Sequence, residues 1–314
     1  MNTDYSIKLL SQNNRSMNGK IMESIIKHID ISELKERIHT FQNLNVQSLS
    51  DKSLKENIDK VLRVKLDRDT MISTILTEYS LFDIGTRFYR VRKLKNSYMP
   101  NRCLKNVSAY WNPPQKYVKH YGRLNKPGES LLYTALNPYT AICETNLKAG
   151  DSFVLCVYEA IKPLRFSWIG GKANYEFNGI RNKKTIEFYE MIREFLVNEF
   201  TRIIPENQDY LYRITEMIAK NYYTYPDDSG WRYPSVKHNF EDNICFKSER
   251  IMYNLKLVGA IVAKFNEDKI ENPQEMKMSV EYIIIGPNMD NYYAYQSKEV
   301  EKYIEKLFYE FLKE

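Results

Sequence analysis

The residues best suited to chemistry in this sequence lie between positions 121 and 144. A loop with glycine, proline and basic side chains, GRLNKPGES (122–130), leads into the short apolar stretch LLYTA (131–135). Glu144 follows a few residues later, beside the apolar Ile142. A carboxylate next to apolar neighbours either has a raised pKa or binds hydroxyl groups, and the alternative is an ordinary solvated glutamate.

The loop does not carry a known phosphate-binding motif. A Walker A loop needs the pattern GxxxxGK[ST], because its lysine and hydroxyl contact the phosphates and magnesium. Here the spacing between Gly122 and Gly128 is one residue too long, and Glu129 stands where the lysine would be. GxGxxG is absent too. The loop is therefore either the rim of an anion site or a plain Gly/Pro surface turn.

Two arginines are candidates for binding an anion. Arg90 and Arg92 alternate along the predicted strand RFYRVRKL (87–94), so they share one face with Phe88. That face is either an exposed edge or, on the concave side of a sheet, a surface that holds a pyrophosphate through bidentate contacts.

Two further residues have candidate roles. Tyr133 lies on the strand between the loop and Glu144, where it is either a core residue or a stacking platform. Ser235 follows a proline in GWRYPSV but has no GxSxG context, so the sequence does not support a serine hydrolase.

The cysteines and histidines do not suggest a metal site. The four cysteines include no CxxC pair, and the four histidines form no HExxH or HxH pattern. Each cysteine lies in or near an apolar stretch, which predicts reduced, mostly buried thiols. No apolar run approaches about 18 residues and no signal peptide is recognisable, so we expect a cytoplasmic protein without a membrane partner.

The charge distribution argues against a nucleic-acid-binding tail. The net charge is +6 over 314 residues, and residues 1–80 carry 12 Lys and Arg against 11 Asp and Glu. A segment with balanced charge does not attract a polyanion, and we do not expect nucleic acid as a partner of the protein.

Hydrophobic spacing divides the chain near residue 80. The first 80 residues show helical spacing, with a capping-box pattern at Asp30 and Glu33, a helix that carries Leu54 and Ile58, and a further predicted helix over 67–79. The remainder mixes both element types. Strands are predicted at 87–94, 131–135, 152–160, 231–236, 243–246, 255–265 and 278–287, and helices at 137–147, 184–200, 209–223 and 300–312.

These elements do not follow a regular βαβ rhythm. We therefore expect an α+β fold with a curved, mainly antiparallel sheet and flanking helices, preceded by a helical N-terminal region. A doubly wound nucleotide-binding fold is disfavoured.

The candidate residues together resemble the motifs of the RES domain family, which is named for an arginine, a glutamate and a serine. YRVR (89–92), YGRLNKPGESLLYTA with the downstream ALNPYTAICE, GWRYPSV and NICF stand in the family's order. By this resemblance Arg90 is the arginine, Glu144 the glutamate and Ser235 the serine. Tyr133 matches the strand tyrosine and Asn243 the late asparagine.

Some positions depart from the family pattern. Leu124 stands where tryptophan is usual, and Tyr121 replaces the first glycine of the loop. The stretch before Gly122 is long, which leaves Arg92 and Arg123 as alternatives to Arg90. The resemblance covers roughly residues 82 to 265. It implies a catalytic domain over 81–314 after the helical region 1–80.

The resemblance implies an ADP-ribosyltransferase-like fold that cleaves the nicotinamide–ribose bond of NAD+ by phosphorolysis or hydrolysis, as a toxin that depletes NAD+. Glu144 would bind ribose hydroxyls and face the positive charge of an oxocarbenium-like state. Arg90, Arg92 and Arg123 are candidates for binding the pyrophosphate. Tyr133 would stack on nicotinamide, Ser235 would fix the pose, and Asn243 and Tyr121 complete the substrate-binding set.

The resemblance implies NAD+ as substrate, inorganic phosphate as a candidate co-substrate, an antitoxin protein as partner, and neither a metal nor a separate cofactor. Two alternatives stay open: transfer of ADP-ribose to a macromolecule, and a non-catalytic module that binds NAD+ or ADP-ribose. The N-terminal helices also leave three roles open, which are docking a partner, forming a homodimer and covering the cleft.

Overall fold

The computed structural model describes residues 19–27, 29–94, 104, 106–237, 241–266, 278–285 and 291–294. The chain forms two compact units, one from residues up to 78 together with 168–224, and the other from 79–167 together with residues from 225 onward. The structure thus groups residues 168–224 with the N-terminal region, whereas the sequence analysis assigned them to the second domain.

The described helices and strands are numbered in chain order. The helices are α1 (19–26), α2 (Ile31–Gln42), α3 (Asp51–Leu62), α4 (Pro138–Cys143), α5 (Lys183–Thr201), α6 (Tyr212–Tyr222) and α7 (Ile251–Asn254). The strands are β1 (Arg63–Lys65), β2 (Met71–Ser73), β3 (Glu78–Phe82), β4 (Arg87–Lys93), β5 (Leu132–Ala135), β6 (Ser152–Ala160), β7 (Leu164–Trp168), β8 (Gly230–Pro234), β9 (Asp242–Phe246), β10 (Leu255–Phe265), β11 (Met278–Ile285) and β12 (Asn291–Ala294).

The first unit is mainly helical, and its two chain segments pack together. Phe41 of α2 meets Phe195 of α5 edge to face, with ring centroids 5.3 Å apart. Arg213 of α6 donates to the carbonyl oxygens of Val46 and Leu49, at 3.2 and 2.8 Å. These contacts are the physical reason why residues 168–224 belong with the N-terminal helices.

The helix predicted over 67–79 is wrong. Asp67 accepts hydrogen bonds from the backbone N–H groups of Asp69 and Thr70, which closes a turn. The chain then returns as β2, which pairs antiparallel with β1. Four of the six residues from Ile72 to Thr77 are β-branched, which favours an extended conformation over a helix.

The second unit contains a ten-stranded sheet in the order β12-β11-β10-β6-β4-β5-β9-β8-β7-β3. The registered pairs from β12 to β8 are antiparallel, so the expected α+β class with a mainly antiparallel sheet is confirmed. The predicted strands became β4, β5, β6, β8, β9, β10 and β11. The predicted C-terminal helix lies outside the described residues, and β3, β7 and β12 of this sheet were not predicted.

The two faces of the sheet bury different side chains. One face, called here the aromatic face, carries Phe88, Tyr158 and Phe246. The other, called here the α4 face, carries Tyr89, Ala135 and Val157 and is covered by Ala141 and Ile142 of α4. Side-chain alternation along each strand therefore decides which residues can meet.

The sheet is nearly divided between β4 and β5, which are joined at the single residue pair Tyr89–Ala135. Beyond that pair β4 continues along β6 and β5 continues along β9. The residues from Arg90 onward on β4 are therefore not paired with Leu132 and Tyr133 on β5. This interruption of the strand pairing is called here the gap between β4 and β5.

Within the described part of the chain, no helix has both the length and the apolar character that a membrane span requires.

Candidate functional site

Glu144 is the centre of a hydrogen-bonded cluster on the α4 face. One carboxylate oxygen, Oε1, accepts from Ser235 Oγ at 2.6 Å, from Asn243 Nδ2 at 2.9 Å and from the backbone N–H of Val236 at 3.1 Å. The structure thus brings together the glutamate, the serine and the asparagine that the sequence motifs selected, although 91 and 99 residues separate Glu144 from the other two.

The local sequence explains why Glu144 stands where it does. Asn137 caps α4 by accepting from Thr140 N at 2.7 Å, and Pro138 fits the first helical turn. The helix was expected to reach Leu147, but it ends at Cys143 with Glu144 as its C-cap residue. Asn146 takes a positive φ of 50°, a conformation that asparagine tolerates and that turns the chain away from the helix.

Strands β8 and β9 position the two side chains that bind Glu144. Asn243 pairs with Ala135 of β5 on one side and with Tyr233 of β8 on the other, so its side chain lies on the α4 face. Ser235 follows Pro234 at the end of β8. Both side chains are buried, with Ser235 6% exposed and Asn243 5% exposed.

The cluster fixes one oxygen of Glu144 and leaves the other without a hydrogen bond to any described residue. Three donors on Oε1 hold the carboxylate in one orientation, because rotation would break all three bonds. The neighbouring Cys143 is not a rival nucleophile, since burial, with a contribution from Glu144, raises the pKa of its thiol to about 11. Glu144 Oε2 is the group that can meet a ligand.

Tyr133 anchors the loop 121–130 through its hydroxyl. The hydroxyl oxygen accepts from Leu124 N at 3.0 Å, and the hydroxyl donates to Asn125 Oδ1 at 2.9 Å. Burial raises the pKa of Tyr133 well above its usual value, so the hydroxyl keeps its proton. The half-buried ring lies on the α4 face, two residues along β5 from Ala135.

Arg90 lies on the aromatic face, opposite Glu144. It pairs with Cys156 of β6, and it follows Tyr89, which faces α4. Burial raises the pKa of Tyr158 well above normal, and the nearby guanidinium of Arg90 opposes that shift. Arg90 Nη1 is buried without a hydrogen-bond partner. The residue follows Tyr89 directly, at the gap in the pairing between β4 and β5.

The other predicted binding residues are distributed around this gap and the loop. Arg92 is half-buried on the aromatic face of β4. Arg123 and Tyr121 are half-exposed in the loop that Tyr133 anchors. The structure therefore does not place them in the hydrogen-bonded cluster of Glu144.

Sequence reasoning missed two contributors to the site. The N–H of Val236 carries no side-chain signal, so only the backbone fold reveals it. Asn125 is 6% exposed and joins the loop to Tyr133. Its place in GRLN, within the motif that carried the resemblance, is the signal that could have found it.

No group of three or more His, Cys, Asp or Glu side chains among the described residues could hold a metal ion. The three described cysteines, Cys143, Cys156 and Cys245, are buried and form no disulfide, as predicted. No known protein family, no curated protein and no solved structure in the comparisons matches the chain. The resemblance to the RES domain family therefore rests on the quoted motifs.

Proposed function

We propose that this protein cleaves the nicotinamide–ribose bond of NAD+, with Glu144 as its catalytic residue and an ADP-ribosyltransferase-like arrangement of the sheet. The observation that carries the proposal is the cluster at Glu144 Oε1. Glu144, chosen by motif alone, meets the motif residues Ser235 and Asn243, which lie 91 and 99 residues further along the chain, in one hydrogen-bonded group. Such convergence is expected if the motifs mark one site.

The geometry of Glu144 suits this reaction. Cleavage passes through an oxocarbenium-like state with positive charge on the ribose, and nicotinamide leaves as a neutral molecule. The reaction therefore needs a fixed negative charge rather than a proton donor. A carboxylate immobilised at Oε1 presents Oε2 to a ribose hydroxyl and to the developing charge without reorganising.

Arg90 supports the binding of an anionic substrate. One guanidinium nitrogen of Arg90, Nη1, is buried without a hydrogen-bond partner, and an anion bound there would supply the missing acceptor. In this proposal a dinucleotide reaches both faces of the sheet at the gap, with its pyrophosphate at Arg90 and a ribose at Glu144. Arg123, at the rim, is a second candidate for the pyrophosphate.

The assignment of Tyr133 changes in this proposal. Its hydroxyl binds the loop, so its first role is to position residues 121–130. The half-buried ring remains a candidate surface for nicotinamide.

Transfer of ADP-ribose to a macromolecule is the alternative reaction at the same residues. It would use the same carboxylate and differ only in what attacks the ribose.

The test is an NAD+ consumption assay with product identification, with and without inorganic phosphate. Nicotinamide should be released, together with ADP-ribose or its 1-phosphate. Glu144→Gln should lower kcat by about 10²–10³, because the fixed charge is lost while the shape is kept. If the assay uses labelled NAD+, label found on protein or nucleic acid after the reaction would instead indicate transfer.

The matched control is Glu187→Gln, which changes an exposed glutamate of α5 in the other unit. We expect it to leave the rate unchanged. Wild-type protein that binds NAD+ but releases no nicotinamide under either condition would contradict the proposal and favour a binding module.

A further inference from the structure

Half of the net charge of this chain is concentrated in one loop. Residues 115–129, called here the basic loop, contain four Lys and Arg and one Glu, against a net charge of +6 for all 314 residues. Lys116, Lys119 and Lys126 are exposed. The balanced charge of residues 1–80 therefore says nothing about this segment, which lies in the other unit.

The basic loop is held in a defined shape by backbone hydrogen bonds. Gly128 N donates to Val118 O at 2.8 Å, and Gly122 N donates to Asn125 O at 3.0 Å. The bond from Leu124 N to Tyr133 ties the loop to β5. The lysines thus project from a fixed scaffold, and a ligand that binds them does not have to order the loop.

Aromatic rings alternate with the basic residues in this loop. Tyr117 is 66% exposed, which is high for so large a side chain, and Lys116 Nζ lies 5.0 Å from its ring centroid. Tyr121 is half-exposed. Exposed rings between cations are the usual composition of surfaces on which unpaired bases stack while the backbone phosphates meet lysines.

The basic loop adjoins the Glu144 cluster. Its anchor, Tyr133, lies two residues along β5 from Ala135, which pairs with the Glu144-binding Asn243. Another exposed cation, Lys237, follows directly after Val236, whose N–H binds Glu144. The basic loop is thus tied to the strand that pairs with Asn243, and Lys237 is next in sequence to a donor of the cluster.

We propose that the basic loop is a binding surface for single-stranded nucleic acid, with Lys116, Lys119 and Lys126 contacting phosphates and Tyr117 stacking on a base. A duplex would hide its bases from Tyr117, and an acidic peptide, unlike a single strand, does not carry a ring beside every anionic group. The proposal concerns binding alone, so it does not depend on whether the protein cleaves NAD+.

The test is fluorescence anisotropy with labelled oligo(dT) and oligo(U) of about 12 nucleotides, a length within the usual site size. The triple variant Lys116→Glu, Lys119→Glu, Lys126→Glu should bind at least about tenfold more weakly. The plot of log affinity against log salt should also flatten by about 2 units, since each lost phosphate contact removes about 0.7. Tyr117→Ala should weaken binding by roughly tenfold through lost stacking.

The matched control is Lys35→Glu, Lys52→Glu, Lys162→Glu, which changes three exposed lysines elsewhere and gives the same net charge. It should bind the oligonucleotides like wild type. Absence of wild-type binding at low salt would overturn the proposal, and so would equal losses in the two triple variants. Two further results together would identify a general polyanion surface and overturn the proposal. Tyr117→Ala would bind the oligonucleotides normally, and polyglutamate or anionic vesicles would compete as well as oligo(dT).

Discussion

The three donors on Glu144 Oε1 define what each residue of the cluster contributes. Ser235, Val236 and Asn243 supply a hydroxyl, a backbone N–H and an amide, and none of these groups carries charge. The carboxylate is thus oriented without being neutralised. Three uncharged donors, called here the neutral cage, suit a carboxylate whose negative charge must act on a substrate.

The cage can be tested by turning its amide into an acid. Asn243→Asp keeps the shape but replaces a donor 2.9 Å from Glu144 Oε1 by a second carboxylate. Two carboxyl groups at that distance cannot both ionise easily, so one has a raised pKa in the folded state. A carboxyl group whose pKa is raised in the folded state makes the protein less stable as the pH rises above about 4, which is the pKa of that group in the unfolded state.

We therefore expect Asn243→Asp to be about 2 kcal/mol less stable than wild type near pH 8, with a smaller difference near pH 5. Urea unfolding at the two pH values measures this. The control is Asn174→Asp, because Asn174 is exposed and uses only its Oδ1, which accepts from Phe177 N. A loss of unfolding free energy in Asn243→Asp that is the same at both pH values would contradict the repulsion between the two carboxylates.

At the scale of elements, helix α4 links the cap at Asn137 to Glu144 at its other end. Asn137→Ala removes the bond to Thr140 N and should destabilise the protein by about 1 kcal/mol. Because α4 is short, loss of the cap should also loosen Glu144 and lower the proposed NAD+ cleavage beyond what the loss of stability explains.

The control for this prediction is a second asparagine cap. Asn182 accepts from Thr185 N at 3.1 Å and caps α5 in the other unit. Asn182→Ala should cost about as much stability and leave the turnover of the folded protein unchanged. Thermal melts and kcat, measured for both variants, separate the two effects, and equal kcat losses would refute a positioning role for α4.

The elements also show what the sequence could and could not predict. β4, β5, β6 and β10 followed from apolar and alternating patterns, because such strands must bury side chains in a fixed period. The caps of α2 and α4 followed from local hydrogen-bond chemistry that involves only neighbours in sequence. The prediction of a helix over 67–79 was wrong because the apolar spacing there is helical, whereas the β-branched residues and the turn at Asp67 favour an extended chain.

Long-range relations were beyond the sequence patterns. Motif order selected Glu144, Ser235 and Asn243, which the structure brings into contact, but nothing in it indicated the backbone donor at Val236. Nor could it place Arg90 opposite α4, since that depends on which face of β4 each residue takes and on the gap beside β5.

At the scale of the whole molecule, the first unit is assembled from two separate chain segments. Phe41 contacts Phe195, and Arg213 binds the carbonyl oxygens of Val46 and Leu49 as well as Asp51. A truncation at the predicted boundary near residue 80 would therefore remove half of this unit. It would leave α5 and α6 with uncovered apolar surface.

We expect a protein that begins at residue 81 to aggregate, because exposed helix faces of this kind associate. A different deletion respects the units: it removes 1–78 and replaces 168–224 by a short glycine–serine linker. The ends to be joined are close, since Ser167 Oγ donates to Asp228 Oδ2 at 2.5 Å and Ser229 N to Arg165 O at 2.8 Å. This second protein should be monodisperse in size-exclusion chromatography and melt cooperatively. If instead the simple truncation is monodisperse and the linked protein aggregates, the grouping of residues 168–224 with the N-terminal helices is wrong.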